Sequence, residues 1–284
     1  VAYTKELAAL MAALAKPGET VSISTVPGTF KPLGRGAEGQ MAANLIETVA
    51  ECVLLRATTG VTVALAIEPE PCCFLETIAE TVAYFEDYLF SDGAIATLAR
   101  RTGLSLGEAA DSLPRHLGVC YDVCHAAIEF EDPANSFEKL RKAGVLVHKL
   151  QLSAALRIEK VTPASRSRLR DFDEPTYLHQ VVMRSATGLT RATDLSLALS
   201  RGSQADGEEW RIHFHVPIFM TAIDGLGTTQ SFLREVLRLH RQAPLSNHLE
   251  VETYTWDVLP EAARTSSVSD AIARELQWVI AQLQ

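Results

Sequence analysis

The chain has no apolar run of the roughly 20 residues that a membrane helix requires, and no signal peptide is visible. Together these absences lead to the expectation of a cytoplasmic protein with no membrane span. Basic charge is in deficit: 26 Lys and Arg stand against 35 Asp and Glu, a formal charge of −9. The acidic residues are spread along the chain rather than massed in a tail. Gripping a phosphate backbone depends on clustered Lys and Arg, so nucleic acid is not the expected partner, although local basic pockets are compatible with this balance. Cysteine is sparse and odd in number, at Cys52, Cys72, Cys73, Cys120 and Cys124. Without framework spacing these read as reduced thiols, acting as small buried apolar residues near strand ends. Internal repeats and low-complexity tracts are also missing.

What the chain does have is a core and an alternation. Its 284 residues, 47% of them hydrophobic, suffice for one large α/β domain or two small ones. Helical patterning is expected over 1–15 (stopped by Pro17-Gly18), 38–57, 74–90, 92–112, 133–143, 228–242 and 267–283. Strands are expected at Thr20–Thr25, Val61–Ile67, Leu117–Tyr121, Val145–Leu152, Trp210–Phe219 and His248–Tyr254. Val61–Ile67 is almost continuously apolar, the mark of a strand buried on both faces. Six strands separated by helices predict a parallel sheet with helical crossovers. Between 157 and 209 the rhythm breaks into a polar segment holding Arg157, Arg166, Arg168 and Arg170. Within it, Tyr177–Arg184 and Leu189–Thr193 flank Ser185-Ala-Thr-Gly188 and predict a β-hairpin. An insertion of this kind is expected to act as a lid or substrate loop.

The strand ends carry chemistry. Gly118-Val-Cys-Tyr-Asp-Val-Cys-His125 is an apolar strand ending in Asp122, with His125 three residues on. An anionic oxygen and a neutral nitrogen at one strand mouth are what a hard or borderline divalent cation takes. Val61–Ile67 ends in Glu68, followed by Pro69-Glu70-Pro71. Val145–Leu150 ends in Gln151 and Ser153, after His148 and Lys149. Trp210–Phe214 carries His213 and His215 on one face, and the last strand ends in Glu252. Each has a plain structural explanation: a solvated loop carboxylate, a satisfied half-buried histidine pair, a hydrogen-bonding amide. Their joint delivery at successive strand ends is hard to obtain from core packing and points to a metal centre, intact or degraded.

These segments resemble the xylose-isomerase-like TIM-barrel superfamily, which includes sugar isomerases and epimerases and zinc endonucleases that cut at abasic sites. Tyr121-Asp-Val-Cys-His125 is similar to its Asp-x-x-His strand, Leu65-Ala-Ile-Glu-Pro69 to its Glu-Pro strand, and Glu252 to its last-strand carboxylate. Within the group the chain looks most like EboE-type metabolite traffic proteins, through Ser22–Pro27, Leu65–Pro71, Lys149–Leu156, Asp173–Gln180 and Val251–Trp256. The resemblance implies a single α/β barrel over 1–284 with an inserted segment at about 157–209. The chain opens at Val1 inside a helix, and six strands are two short of a closed barrel, so N-terminal incompleteness is expected.

By position, the resemblance makes Glu68, Asp122, Gln151, His215 and Glu252 the metal set. Gln151 stands where many members place a histidine. An amide oxygen there retunes the site away from Zn²⁺ towards Mn²⁺ or Mg²⁺. Glu68 and Glu252 are the expected catalytic pair, and His125, Lys149, Arg170, His179 and His213 the substrate contacts. The implied function is a metal-dependent isomerase or epimerase acting on a small sugar-like or polyol metabolite. The alternative is a non-catalytic metabolite-binding protein, favoured by Gln151. An abasic-site endonuclease is a minor reading, opposed by the acidic charge.

Overall fold

The computed structural model of the chain describes residues 1–252, 255–259 and 267–284. They fall into two compact units. One comprises Val1–Tyr121, Asn135–Leu150 and Ser246–His248; the other Asp122–Ala134, Gln151–Leu245 and Leu249–Gln284.

The first unit is built on strands in the order β1 (Thr20–Thr25), β2 (Thr62–Ile67), β3 (Leu117–Asp122), β4 (Val147–Leu152), with β1, β2 and β3 parallel. β1 pairs with β2 from Thr20↔Thr62 to Thr25↔Ile67, and β2 with β3 from Leu65↔Leu117 to Ile67↔Val119. Every residue of β2 is buried, as its unbroken apolar sequence predicts. The helix Glu38–Thr59 ends at Gly60, whose φ of 74° is the left-handed cap that glycine tolerates best. The sequence expectation of one helical stretch over 92–112 resolves into Asp92–Thr102 and Leu106–His116. Gly103 closes the first, and a Ser105–Glu108 capping box opens the second.

The second unit corrects the sequence reading. Its sheet has six strands in the order β7-β6-β8-β5-β10-β9: β5 (Ala155–Ile158), β6 (Val181–Ser185), β7 (Gly188–Ala192), β8 (Glu209–His215), β9 (Ala222–Ile223) and β10 (Leu226–Thr228). β8 was expected as the fifth parallel strand over Trp210–Phe219, but it runs antiparallel to both β5 and β6. Only Ser153 and Ala154 separate β4 from β5, which belongs to the other sheet, so no helical crossover follows β4. β8 also stops at His215, because Pro217 has no N–H for a ladder. The expected hairpin is present, with Ser185 paired to Gly188. A second, two-residue hairpin turn, Asp224-Gly225, joins β9 to β10; φ is 47° and 71°, the left-handed pair such turns require. Trp210, Phe172 and Phe214 are fully buried, the last two edge-to-face at 5.2 Å. β11 covers Leu249–Val251, shorter than the expected 248–254, of which 253 and 254 lie outside the described residues.

All five cysteines are free thiols; four are buried and Cys73 is half-buried. Among the described residues no helix is long and apolar enough to cross a membrane.

Candidate metal centre

Asp122 is the last residue of β3 and the N-cap of the helix Val123–Ile128. A carboxylate suits that position because it can accept from the unpaired amides of the first turn. Its Oδ1 accepts from His125 N at 2.9 Å and from Ser153 Oγ at 2.8 Å. Ser153 Oγ in turn accepts from Cys124 N at 2.8 Å. One oxygen is therefore tied to the fold. The other, Oδ2, is buried and receives no hydrogen bond. An orphaned carboxylate oxygen in the interior is costly, and a cation is one of the few groups that satisfies it.

Two histidines lie beside this carboxylate, and a third, His213, contacts one of them. Ring nitrogens of His125 and His215 lie with the Asp122 carboxylate in one cluster, every donor within 4.8 Å of the others. Ligands on a tetrahedral ion stand about 3.4 Å apart, so small side-chain adjustments would close the set. The hydrogen-bond chain fixes ring orientation. His213 Nδ1 is 2.6 Å from Gln180 Oε1, an acceptor, which puts the His213 proton on Nδ1. Its Nε2 then accepts from His125 Nε2, 3.0 Å away. That leaves Nδ1 as the lone-pair nitrogen of His125, and it faces Asp122 Oδ1 at 3.9 Å. Burial, with the neighbouring His125, His215 and His179, holds His213 well below the ordinary histidine range, so it stays neutral as this chain requires.

Glu252 follows β11, anchored where its N donates to Leu152 O at 3.4 Å. Its Oε2 is 3.1 Å from His215 Nδ1. Burial alone would raise the Glu252 carboxyl, but His215 beside it, with His125, reverses this and holds it at about 2. Asp122 moves the other way. Burial raises it, and Glu252 adds to that, against the attraction of His125 and His215. A buried and a half-buried carboxylate this close share either a proton or a cation. The donor set fits a divalent metal: an orphaned anionic oxygen, an oriented imidazole, a second imidazole and a further carboxylate.

The structure thus brings five of the predicted residues together: Asp122, His125, His213, His215 and Glu252. Gln151 is buried on β4. His179 is buried, with Nδ1 2.9 Å from His213 O and Nε2 2.8 Å from Glu174 Oε1. Both its nitrogens are engaged by the protein. Arg170 is exposed on the turn Arg170–Phe172. In the first unit, Glu68 is half-buried, its N donating to Thr25 O at 3.0 Å, and Lys149 Nζ donates to Ser24 Oγ at 3.1 Å.

Sequence reading missed three contributors. Gln180 sets the histidine tautomers from β8's neighbouring segment. Cys124 packs with Ile128, Ala155 and Val182, yet its Sγ also lies within 4.8 Å of the His213 and His215 ring nitrogens. Glu275, on the helix Val268–Leu283, is fully buried; its Oε1 accepts from Ile218 N at 3.0 Å, and burial pushes its carboxyl up to about 7. A charged residue at a core-facing helical position was the available signal for Glu275. Nothing local marks Gln180.

No protein-family model matches the chain, and no curated protein matches it. A solved structure described as an IOLI protein with a binding zinc atom is similar over 99% of this chain and 68% of its own, with a TM-score of 0.41 and 12% identity. A likeness of that depth carries no argument about fold or activity.

Proposed function

We propose that this chain is a metal-dependent isomerase or epimerase acting on a small sugar-like or polyol metabolite, of the xylose-isomerase-like kind its motifs resemble. The observation that carries the reading is the buried, unsatisfied Asp122 Oδ2 beside His125, His215 and Glu252. Asp122, His125 and His215 would hold the ion, with Glu252 as the further carboxylate. Two imidazoles with carboxylates suit Zn²⁺, Mn²⁺ or Fe²⁺; Mg²⁺, which prefers an all-oxygen shell, suits them less. A bound ion supplies Lewis-acid polarisation of adjacent carbonyl and hydroxyl oxygens.

The chain's own residues do the rest in this reading. The neighbouring imidazoles favour the Glu252 carboxylate, so it serves as ligand and as acceptor for a substrate hydroxyl. Gln180 and His213 orient His125, the outer-shell task that fixes a ligand's tautomer. His179 braces β8 through the His213 carbonyl. Glu68 is proposed as the carboxylate that moves a proton between neighbouring carbons, the role its strand-end motif implies. Non-catalytic metabolite binding is the second reading, favoured by Gln151 where the resembled family has histidine.

The test is metal-loaded protein incubated with a panel of ketoses, aldoses and inositols in D₂O, read by proton NMR. Deuterium entering a carbon next to a carbonyl, lost in Asp122→Asn, supports the isomerase. Ligand binding without exchange selects the second reading. Neither binding nor exchange overturns both.

A further inference from the structure

A second site lies at the other end of the antiparallel sheet. β5 runs away from the histidines: Ala155 pairs with His215, and Ile158 with Trp210. Its far end is about 10 Å along the strand from that pairing. There a cleft of about 730 Å³ opens, walled by Arg157, Lys160, Arg168 and Arg234, with Glu159 the only acid among the described residues that line it. In a chain of formal charge −9, four cations against one carboxylate is a local inversion.

The cations are not equivalent. Arg157 is neutralised by Glu209 at 2.8 Å and Glu159 at 3.1 Å. Arg234 is held by uncharged groups, Gln230 Oε1 and Gln282 Oε1, each at 3.1 Å, and lies over Trp278. It is positioned without losing charge. Arg168 and Lys160 have no carboxylate partner among the described residues. Arg168 is nevertheless placed: its guanidinium lies against Gly225, where a Cβ would come within 2.0 Å of Nη1. Shape, not a counter-charge, seats this arginine. The helix Gln230–Gln242 begins on the same wall, with no side-chain cap and no acid in its first turn. Its positive end therefore adds to the field rather than being cancelled.

We propose that this cleft binds a phosphate group, free or carried by a small phosphorylated metabolite. Arg168 supplies a planar fork, Lys160 a mobile point charge, and Ser231 a hydroxyl for a remaining oxygen. The site is separate from the metal centre and does not depend on the function proposed there.

The experiment is calorimetric titration of the whole protein with inorganic phosphate and with ribose 5-phosphate, at constant ionic strength. Saturable binding is expected, weakened about tenfold in Arg168→Gln and in Lys160→Gln, and unchanged in Asp122→Asn. All three substitutions are tested beside a thermal melt, and Arg168 and Lys160 are exposed, so folding should persist. Tighter binding of the ester identifies a phosphorylated metabolite as the ligand; equal binding identifies free phosphate. Absence of saturation up to about 10 mM, or affinity unmoved by both cleft variants, overturns the proposal.

Discussion

Replacing Glu275 with Gln should change how stability depends on pH. The carboxyl is fully buried, and burial raises it from the ordinary 4.5 to about 7, against the hydrogen bond from Ile218 N and the attraction of His215. In this pH range the folded chain binds the proton more tightly than the unfolded chain. The stability this contributes is therefore complete below about pH 4.5 and is lost as pH rises through about 7. A rise from 4.5 to about 7 corresponds to about 3 kcal/mol. Glutamine keeps the acceptor for Ile218 N at 3.0 Å and cannot ionise. It will leave an amide where the proton stood, a constant offset that does not vary with pH. The assay is urea unfolding of both proteins at half-unit steps from pH 5 to 8.5. The stability of Glu275→Gln relative to wild type should climb by about 2.5 kcal/mol across that range. Parallel curves would refute the buried, proton-holding glutamate.

Other outcomes follow from the same geometry. His116 is buried and its Nδ1 is 2.7 Å from Val63 O; burial lowers it to about 4, so its contribution is present above pH 6.5 and lost as pH falls towards 4, and His116→Asn should flatten the acid limb of the curve. Gln180→Leu removes the acceptor for His213 Nδ1 and should weaken metal affinity about 10–100-fold while leaving all proposed ligands in place, as measured by competition with a chromophoric chelator. Trp210→Ala empties a fully buried site at the sheet centre and breaks the bond from its Nε1 to Glu208, so urea unfolding should record a loss of about 3–5 kcal/mol.

The sequence carried the local half of this structure. Asp122 and His125 were legible because an N-cap carboxylate and the third residue of the following helix are fixed by chain geometry. Likewise His213 and His215 share a strand face by period alone. β2 announced itself by its continuous apolar run. The direction of β8 was not legible, because a strand's sequence does not record its neighbours, here β5 and β6. Gln180 escaped for a related reason, since an amide that sets a tautomer 33 residues away has no local pattern. The cleft around Arg168 lies in the segment marked only as a polar insertion, and its meaning depends on a glycine 57 positions along the chain. The Ser185–Gly188 hairpin read well from its turn residues, whereas the one at Asp224-Gly225, between two very short strands, did not.

Whether Asp122, His125 and His215 hold a metal is tested by the metal content of the whole protein, purified without chelator, by elemental mass spectrometry, beside Asp122→Asn and His215→Ala. About one Zn, Mn or Fe per wild-type chain is expected, with a loss of at least about 90% in each variant. Metal-free wild type that also fails to take up these ions by titration, or variants that keep the full complement, would contradict that assignment.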